Sequence, residues 1–168
     1  EPECAYFGKC ALCQFQFLAA EEQLAAKKSI LINQFKRIGG VPNPETFLKP
    51  SISSPAVFGY RRKMHFQIMP DGKFGLPSVN RKEPITVEQC PVCSDAINDT
   101  LKQISLESDE DFQFIDFREG AAGDIQLILR GDMPKPEAEI ETDLPISMVY
   151  SSPEGSFVMV GDSTIMQQ

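Results

Sequence analysis

The sequence predicts an α+β domain in which a mainly antiparallel β-sheet carries two helices and an N-terminal cysteine-rich loop. About seven short segments combine β-branched or aromatic residues with apolar–polar alternation, which is typical of strands. Two other segments repeat apolar residues at helical spacing. Turns that contain Gly or Pro join most of these segments, and such short connections favour an antiparallel sheet. A chain of 168 residues can bury about 70% of the surface that its unfolded form exposes, so it can form a core.

The first third of the chain holds a loop, a helix and a connector. Residues 1–17 contain three cysteines and show no regular period. A helix is predicted over residues 20–38, and Gly39-Gly40 supplies its C-terminal end. Residues 41–59 contain four prolines and several serines, so we expect an extended connector there. The helix has an apolar stripe that consists of Leu24, Leu31, Phe35 and Ile38.

The sheet region is predicted over residues 60–168. Its first strand runs from Tyr60 to Met69, and its side chains alternate between two faces. The apolar face carries Met64, Phe66 and Ile68, and the opposite face carries Arg61, Lys63, His65 and Gln67. Asp71-Gly72 predicts a hairpin turn into the returning strand. The further strands are expected at residues 73–76, 84–89, 112–118, 124–130, 145–150 and 156–160.

A second helix is predicted directly after the last cysteine. Ser94 is a suitable N-cap, because its hydroxyl can accept a hydrogen bond from a free amide of the first turn. The buried stripe of this helix is expected to consist of Ile97, Leu101 and Ile104. No apolar run in the chain is long enough to span a bilayer.

Charge is divided unevenly along the chain, whose formal net charge is −8. Residues 1–90 contain 12 Lys and Arg against 8 Asp and Glu, a net of +4. Residues 91–168 contain 4 against 16, a net of −12. An acidic protein is ordinarily repelled by polyanions, but this division allows a basic half to face phosphates while the acidic half turns away. Solvated surface on both halves is the alternative interpretation.

The five cysteines form the most informative pattern in the composition. They occur as two tight groups, which are Cys4, Cys10 and Cys13, and then Cys90 and Cys93. A disulfide framework normally spreads an even number of cysteines through a small secreted chain, so soft-metal ligation in a reducing compartment is favoured. Three local thiolates and one remote thiolate suit a [4Fe–4S] cluster, with either Cys90 or Cys93 as the fourth ligand. A zinc site on the two CxxC pairs, or buried thiols without metal, are the alternatives.

The first cysteine group resembles the cluster loop of the iron–sulfur RNA uracil-5-methyltransferases. Residues 4–16 read CAYFGKCALCQFQ, which is similar to that family's pattern C-P-x-F-G-x-C-G-G-C-x-x-Q-H. The likeness continues in FGYRRK at residues 58–63 and in QCP at residues 89–91, and it extends over residues 4–105. Two departures stand within the loop, because the family's Gly-Gly is Ala11-Leu12 here and its histidine is Phe17.

The resemblance implies a set of ligands and a domain organisation. By family position, Cys4, Cys10, Cys13 and Cys90 would bind a [4Fe–4S] cluster, and Cys93 would be spare. The chain would then be a central domain, whose loop at residues 1–17 carries the cluster. Its helix at 20–38 would pack on a separate catalytic domain that binds S-adenosylmethionine. No glycine-rich cofactor loop of that kind occurs in the 168 residues, so the chain alone is expected to hold neither catalytic residues nor a site for S-adenosylmethionine.

The resemblance also implies an RNA partner in the cytoplasm. The parent enzyme would methylate C5 of a uracil in an unpaired or loop region, in 23S rRNA rather than in tRNA. Polar and basic side chains on one strand face suit the recognition of such RNA. The residues expected to contact RNA are Arg61, Lys63, His65 and Gln67, together with Lys9 and Gln14 near the cluster. A small iron–sulfur electron carrier and a zinc-stabilised interaction module are the alternative functions.

Overall fold

A computed structural model describes residues 1–106, 112–132, 144–162 and 165 of the chain. Its helices are α1 (Ala20–Arg37) and α2 (Asp95–Gln103), and a short 3-10 helix spans Pro44–Thr46. Its strands are β1 (Lys63–Ile68), β2 (Phe74–Leu76), β3 (Ile85–Thr86), β4 (Phe114–Glu119), β5 (Ile125–Arg130), β6 (Ile146–Ser152) and β7 (Gly155–Val160). Within the described part, no helix is both long and apolar enough to cross a membrane.

The seven described strands form one sheet in the order β3-β2-β1-β4-β5-β6-β7. Every neighbouring pair is antiparallel except β5 and β6, which run parallel. The predicted α+β class and the mainly antiparallel sheet are therefore confirmed. The stretches of the predicted sheet region at 107–111, 133–143, 163–164 and 166–168 lie outside the described residues.

The hydrophobic core lies between one face of this sheet and α2. Phe66 on β1 and Phe117 on β4 are fully buried, and their ring centroids are 5.0 Å apart in an edge-on arrangement. Ile97 and Leu101 of α2 pack into the same cluster of buried side chains. Burial of one large apolar side chain contributes roughly 1.5–3 kcal/mol, so this layer is the main source of stability.

The two helices begin and end close to the predicted positions but differ in burial. At the start of α2, the Ser94 hydroxyl accepts a hydrogen bond from the Ile97 amide at 3.4 Å, as the N-cap prediction requires. In α1 no residue is buried, and Leu31 and Ile38 of the predicted stripe are 42% and 84% exposed. The described neighbour of α1 is the 3-10 helix, where Phe47 meets Phe35 edge-on at 5.8 Å.

The start of β1 differs from the prediction. The strand begins at Lys63 instead of Tyr60, and residues 63–68 alternate strictly between exposed and buried positions. Arg61 lies before the strand, where its backbone amide donates to the Val92 carbonyl at 2.8 Å. Its guanidinium approaches Met64, with Nη1 3.7 Å from Sδ. The prediction that Arg61 shares a face with Lys63 and His65 is therefore wrong, because pairing with the Val92 segment turns its side chain toward the core side.

Candidate metal centre and nucleic-acid interface

The cysteine loop is fixed by backbone hydrogen bonds to the segment that follows β2. The Ala11 amide donates to the Pro77 carbonyl at 2.9 Å, and the Val79 amide donates to the Lys9 carbonyl at 2.8 Å. Gly8 has a φ of +80°, a left-handed conformation that glycine adopts without steric cost. This turn brings Cys10 back over Tyr6, whose carbonyl accepts from the Cys10 amide at 2.8 Å.

The second cysteine group is held by one asparagine of α2. The Asn98 Oδ1 atom accepts a hydrogen bond from the Cys90 amide at 2.8 Å. Its Nδ2 donates to the carbonyls of Cys90 and Cys93 at 3.1 and 3.3 Å. The Tyr6 hydroxyl also accepts from the Glu88 amide at 3.2 Å, which ties the first cysteine group to the second. The two groups are therefore joined although more than 70 residues separate them in the chain.

One cavity lies between the two cysteine groups. Four of its lining residues are thiols, namely Cys4, Cys10, Cys13 and Cys90, and these could hold a soft metal group. Cys93 is buried next to Cys90 but is not among the described residues that line the cavity. Gln16 also lines it, and although burial raises the pKa of Cys13, an interaction with the Gln16 side-chain amide acts in the opposite direction. The amide therefore lies beside the thiols that line the cavity.

The protonation of the thiols follows their surroundings. Burial raises the pKa of Cys10 and of Cys13, and each is raised further by the neighbouring thiols. A hydrogen bond from the Cys93 thiol lowers the pKa of Cys90 to about 6. The same bond raises the pKa of Cys93, because Cys93 keeps the shared proton. Cys90 is thus the thiol of this pair that carries the negative charge.

The four thiols are not arranged as the ligands of one metal ion in the described structure. Among the described residues, no group of three or more Cys, His, Asp or Glu side chains is placed to hold one metal ion. Around one zinc ion, with Zn–S bonds of about 2.3 Å, the four sulfurs would lie only about 3.8 Å apart.

Both departures from the family pattern have a structural role. Leu12, in place of the second glycine, packs against the core and lines the cavity. Ala11 is exposed and needs only its backbone for the bond to Pro77. Phe17, in place of the histidine, is exposed and lies 6.2 Å from the Phe7 ring. Leu12 therefore makes the cavity lining more apolar, whereas Ala11 and Phe17 are not among the described lining residues, and neither departure changes a thiol.

The outer face of the sheet carries a group of polar and aromatic side chains, which we call the polar face. Lys63, His65 and Gln67 of β1 are exposed and lie opposite residues of β4 in the antiparallel register. Paired residues in neighbouring strands share a face, so the β4 and β5 partners extend the group. The polar face consists of Lys63, His65, Gln67, Phe114, Asp116, Arg118 and Arg130.

Asp116 is the central residue of the polar face. Its side chain is only 3% exposed, and it accepts hydrogen bonds from His65 Nδ1 at 2.6 Å and Arg130 Nη2 at 2.8 Å. Burial opposes ionisation, but these two donors outweigh it, and the pKa of Asp116 lies below its usual value. Because an ionised carboxylate can only accept, His65 must carry its proton on Nδ1.

The remaining predicted RNA residues lie elsewhere. Lys9 and Gln14 are exposed on the cysteine loop. Arg61 is half-buried and lies near the thiols, where its charge acts to lower the pKa of Cys90. The predicted residues thus divide into a group beside the cavity and a group on the polar face.

Several residues of the site escaped sequence reasoning. Asn98 and Gln16 act through contacts that no local spacing reveals. Phe114, Asp116 and Arg118 could have been found, because they alternate with Ile115 and Phe117 along the predicted strand at 112–118. Arg118 and Arg130 also stand out as basic residues in the acidic half of the chain.

The fold is that of part of a known class of RNA-modifying enzyme. The described structure is similar to the crystal structure of a Pyrococcus abyssi tRNA (uracil-54, C5)-methyltransferase in complex with S-adenosyl-L-homocysteine, with a TM-score of 0.58. The match covers 95% of this chain and 39% of that chain, at 17% sequence identity. At this identity the likeness is one of fold alone.

Sequence comparisons give the family more specifically. The chain is 36% identical, over 60% of its length, to an uncharacterized RNA methyltransferase of Aquifex aeolicus, of which it covers 23%. It is 30% identical, over 84% of its length, to a 23S rRNA (uracil(1939)-C(5))-methyltransferase of Pseudomonas syringae pv. tomato, of which it covers 32%. No model of a protein family matches the chain. The chain is homologous to a segment of RNA uracil-C5 methyltransferases, as the cysteine loop predicted, and spans a quarter to a third of these relatives' length.

Proposed function

We propose that this chain is the part of an RNA uracil-C5 methyltransferase that carries a [4Fe–4S] cluster and holds the RNA, in the cytoplasm. The observation that carries the proposal is the single cavity lined by Cys4, Cys10, Cys13 and Cys90. These are the four thiols that the family pattern selects out of five. The methyl-transfer chemistry belongs to residues outside this chain, and no catalytic role is assigned to the residues within it.

The shape of the thiol group supports a cluster over a single zinc ion. A cubane takes one thiolate at each of four iron corners, so its ligands stand further apart than the four sulfurs around one ion. The four described thiols line one cavity, three from the N-terminal loop and one from the segment before α2, which is the arrangement of local and remote ligands expected for a cluster. When bound, the cluster would cross-link the N-terminal loop to the segment before α2. Gln16, which lines the same cavity, would offer its side-chain amide to the bound group.

Electron transfer by a small iron–sulfur protein is the second candidate function. One iron–sulfur cluster in a small protein with a net charge of −8 would suit such a carrier. The homology to RNA uracil-C5 methyltransferases favours the enzyme instead. Reversible oxidation and reduction without loss of iron would be expected of a carrier, whereas a structural cluster is expected to resist reduction or to lose iron.

Metal analysis of anaerobically purified protein tests the proposal. We expect about four iron and four sulfide per chain and the broad visible absorption of a cubane. Cys90→Ser should abolish iron binding, because it removes a thiolate that lines the cavity. Cys93→Ser is the matched control, since it changes a neighbouring buried thiol that does not line the cavity, and it should retain the iron. Equal loss of iron from both variants, or one zinc per chain in the wild type, would contradict the assignment.

The RNA part of the proposal is supported by an exposed lysine in each group, Lys9 beside the cavity and Lys63 on the polar face. Lys9, Gln14 and Arg61 would contact RNA beside the cluster, and Lys63, His65 and Gln67 would contact it on the polar face. The 23S rRNA name of the Pseudomonas relative favours rRNA, and the tRNA name of the Pyrococcus enzyme keeps tRNA as the alternative. Competition between a 23S rRNA fragment and tRNA for the chain would decide between them, and tighter binding of tRNA would contradict the preference.

A further inference from the structure

The polar face contains an exposed pair of stacked aromatic rings, which is unusual for a surface that only contacts solvent. Phe114 of β4 is 36% exposed and lies among charged side chains on the side of the sheet away from the core. Its ring stacks on the His65 imidazole, with centroids 5.1 Å apart and planes inclined by 19°. The His65 side chain is itself 52% exposed. Two rings from neighbouring strands therefore form one stacked pair that is partly exposed on this face of the sheet.

Positive charge surrounds this pair of rings. Arg130 lies directly beside Phe114 in the β4–β5 register, and Lys63 is two positions before His65 on β1. Arg118 completes the group on β4, opposite Lys63. Lys63, Arg118 and Arg130 against the Asp116 carboxylate give the polar face a formal net charge of +2, the imidazole left out of the count, in a chain whose formal net charge is −8.

Asp116 keeps the group in place. Its buried carboxylate binds both His65 and Arg130, and it lies 3.7 Å from Arg118 and 3.9 Å from Lys63. A carboxylate at this depth fixes the imidazole and the guanidinium before any ligand arrives, so less conformational entropy is lost on binding. The outer parts of the cations stay in solvent, since Lys63 and Arg130 side chains are about half exposed.

The sheet also brings together basic residues that lie far apart in the sequence. Residues 91–168 contain four basic residues, which are Lys102, Arg118, Arg130 and Lys135. Two of these four lie on the polar face beside Lys63 from the basic half. Both therefore stand close to the exposed aromatic pair, although the half of the chain that supplies them is acidic.

We propose that the polar face is a base-stacking platform for single-stranded RNA. Phe114 and His65 stack on one or two unpaired bases, and Lys63, Arg118 and Arg130 contact the adjoining phosphates. Unpaired bases recognised on aromatic rings with flanking cations are the usual chemistry of single-stranded RNA sites. This inference rests on the proposed RNA function and adds to it Phe114, Arg118 and Arg130 as binding residues.

Fluorescence anisotropy with a short unstructured oligouridylate tests the platform. Phe114→Ala should weaken binding about ten-fold, because it removes one stacking surface. Phe114→Tyr should bind like the wild type, since it keeps the flat ring. Val158→Ala is the matched control for loss of an exposed apolar side chain, because Val158 lies on β7, three strands away from β4. Circular dichroism and thermal melting of each variant check that the sheet is intact.

The salt dependence separates stacking from charge. Phe114→Ala should leave the slope of log K against log salt unchanged, because it removes no cation. Lys63→Gln should lower that slope by roughly 0.7 for a single-stranded RNA. An oligoribonucleotide duplex should bind more weakly than the single strand, since its paired bases cannot reach the rings.

The failures of the two proposals are distinguishable. If the wild type binds the oligouridylate and Phe114→Ala binds it equally well, the platform is wrong and the RNA function stands. Equal affinity for the duplex and the single strand would also overturn stacking while leaving RNA binding in place. If the wild type binds neither RNA even at low salt, the platform and the RNA part of the proposed function fail together.

Discussion

At the scale of the single residue, Asn98 joins the candidate metal centre to the helix behind it. Its amide makes three hydrogen bonds to the backbone of Cys90 and Cys93. Removal of such a side chain leaves backbone groups of a buried turn without partners, which costs about 1–3 kcal/mol. Asn98→Ala is therefore expected to lower the free energy of unfolding by this amount and to weaken iron retention, because Cys90 loses its fixed position.

Chemical denaturation and iron analysis of the anaerobic protein measure the two effects. The matched control is Asn33→Ala, which removes an exposed asparagine from α1 and should leave both values unchanged. A variant at position 98 with wild-type stability and full iron content would show that the turn at Cys90 holds itself without this side chain.

Residue-scale prediction from the sequence succeeded where the information was local. Ser94 was correctly predicted as an N-cap, because capping depends on the residues of one helical turn. Arg61 was placed on the wrong face, because its side chain is directed by pairing with the distant Val92 segment. Asp116 was missed as a binding centre for the same reason, since its partners come from β1 and β5.

At the scale of the element, α1 differs from the sheet in what stabilises it. None of its residues is buried, and its described contact is the short 3-10 helix at Pro44–Thr46. Helices without a packed face keep only their weak intrinsic propensity. We therefore expect α1 amides to exchange with solvent faster than the amides of β4 and β5, whose apolar residues form the core.

Hydrogen exchange followed by mass spectrometry or NMR measures this difference, with β5 as the internal reference. The predicted packing of α1 on a separate catalytic domain stays a prediction, and it would account for the exposure of Leu31 and Ile38. Equal protection of α1 and β5 in a proven monomer would contradict the expectation.

Element positions followed closely from periodicity, but strand pairing did not. The alternation of residues 112–118 and 124–130 predicted β4 and β5 to within a few residues. The parallel pairing of β5 with β6 could not be predicted, because it depends on the path of the chain between them. The register that brings Phe114 beside Arg130 and His65 beside Asp116 is likewise a property of the sheet, not of any one strand.

At the scale of the whole molecule, the described sheet lacks the architecture of a cofactor-binding domain. Nucleotide-like cofactors in open α/β sheets bind at the carboxyl ends of parallel strands, next to a glycine-rich turn into a helix. The described strands include one parallel pair, and neither α1 nor α2 follows a strand through such a turn. We therefore expect the chain alone to show no saturable binding of S-adenosylmethionine and no methyl transfer to RNA.

Isothermal titration calorimetry with S-adenosylmethionine is the direct measurement. The same sample should retain its iron and bind the oligouridylate, which would show that a missing signal is not the result of misfolding. We expect this chain to bind the cluster and the RNA without the methyl donor, because the thiol cavity and the polar face are built from contacts within this sheet and its own loops. Saturable micromolar binding of the cofactor would instead place part of the methyl-donor site on this chain, and the assignment of catalysis to residues outside it would be wrong.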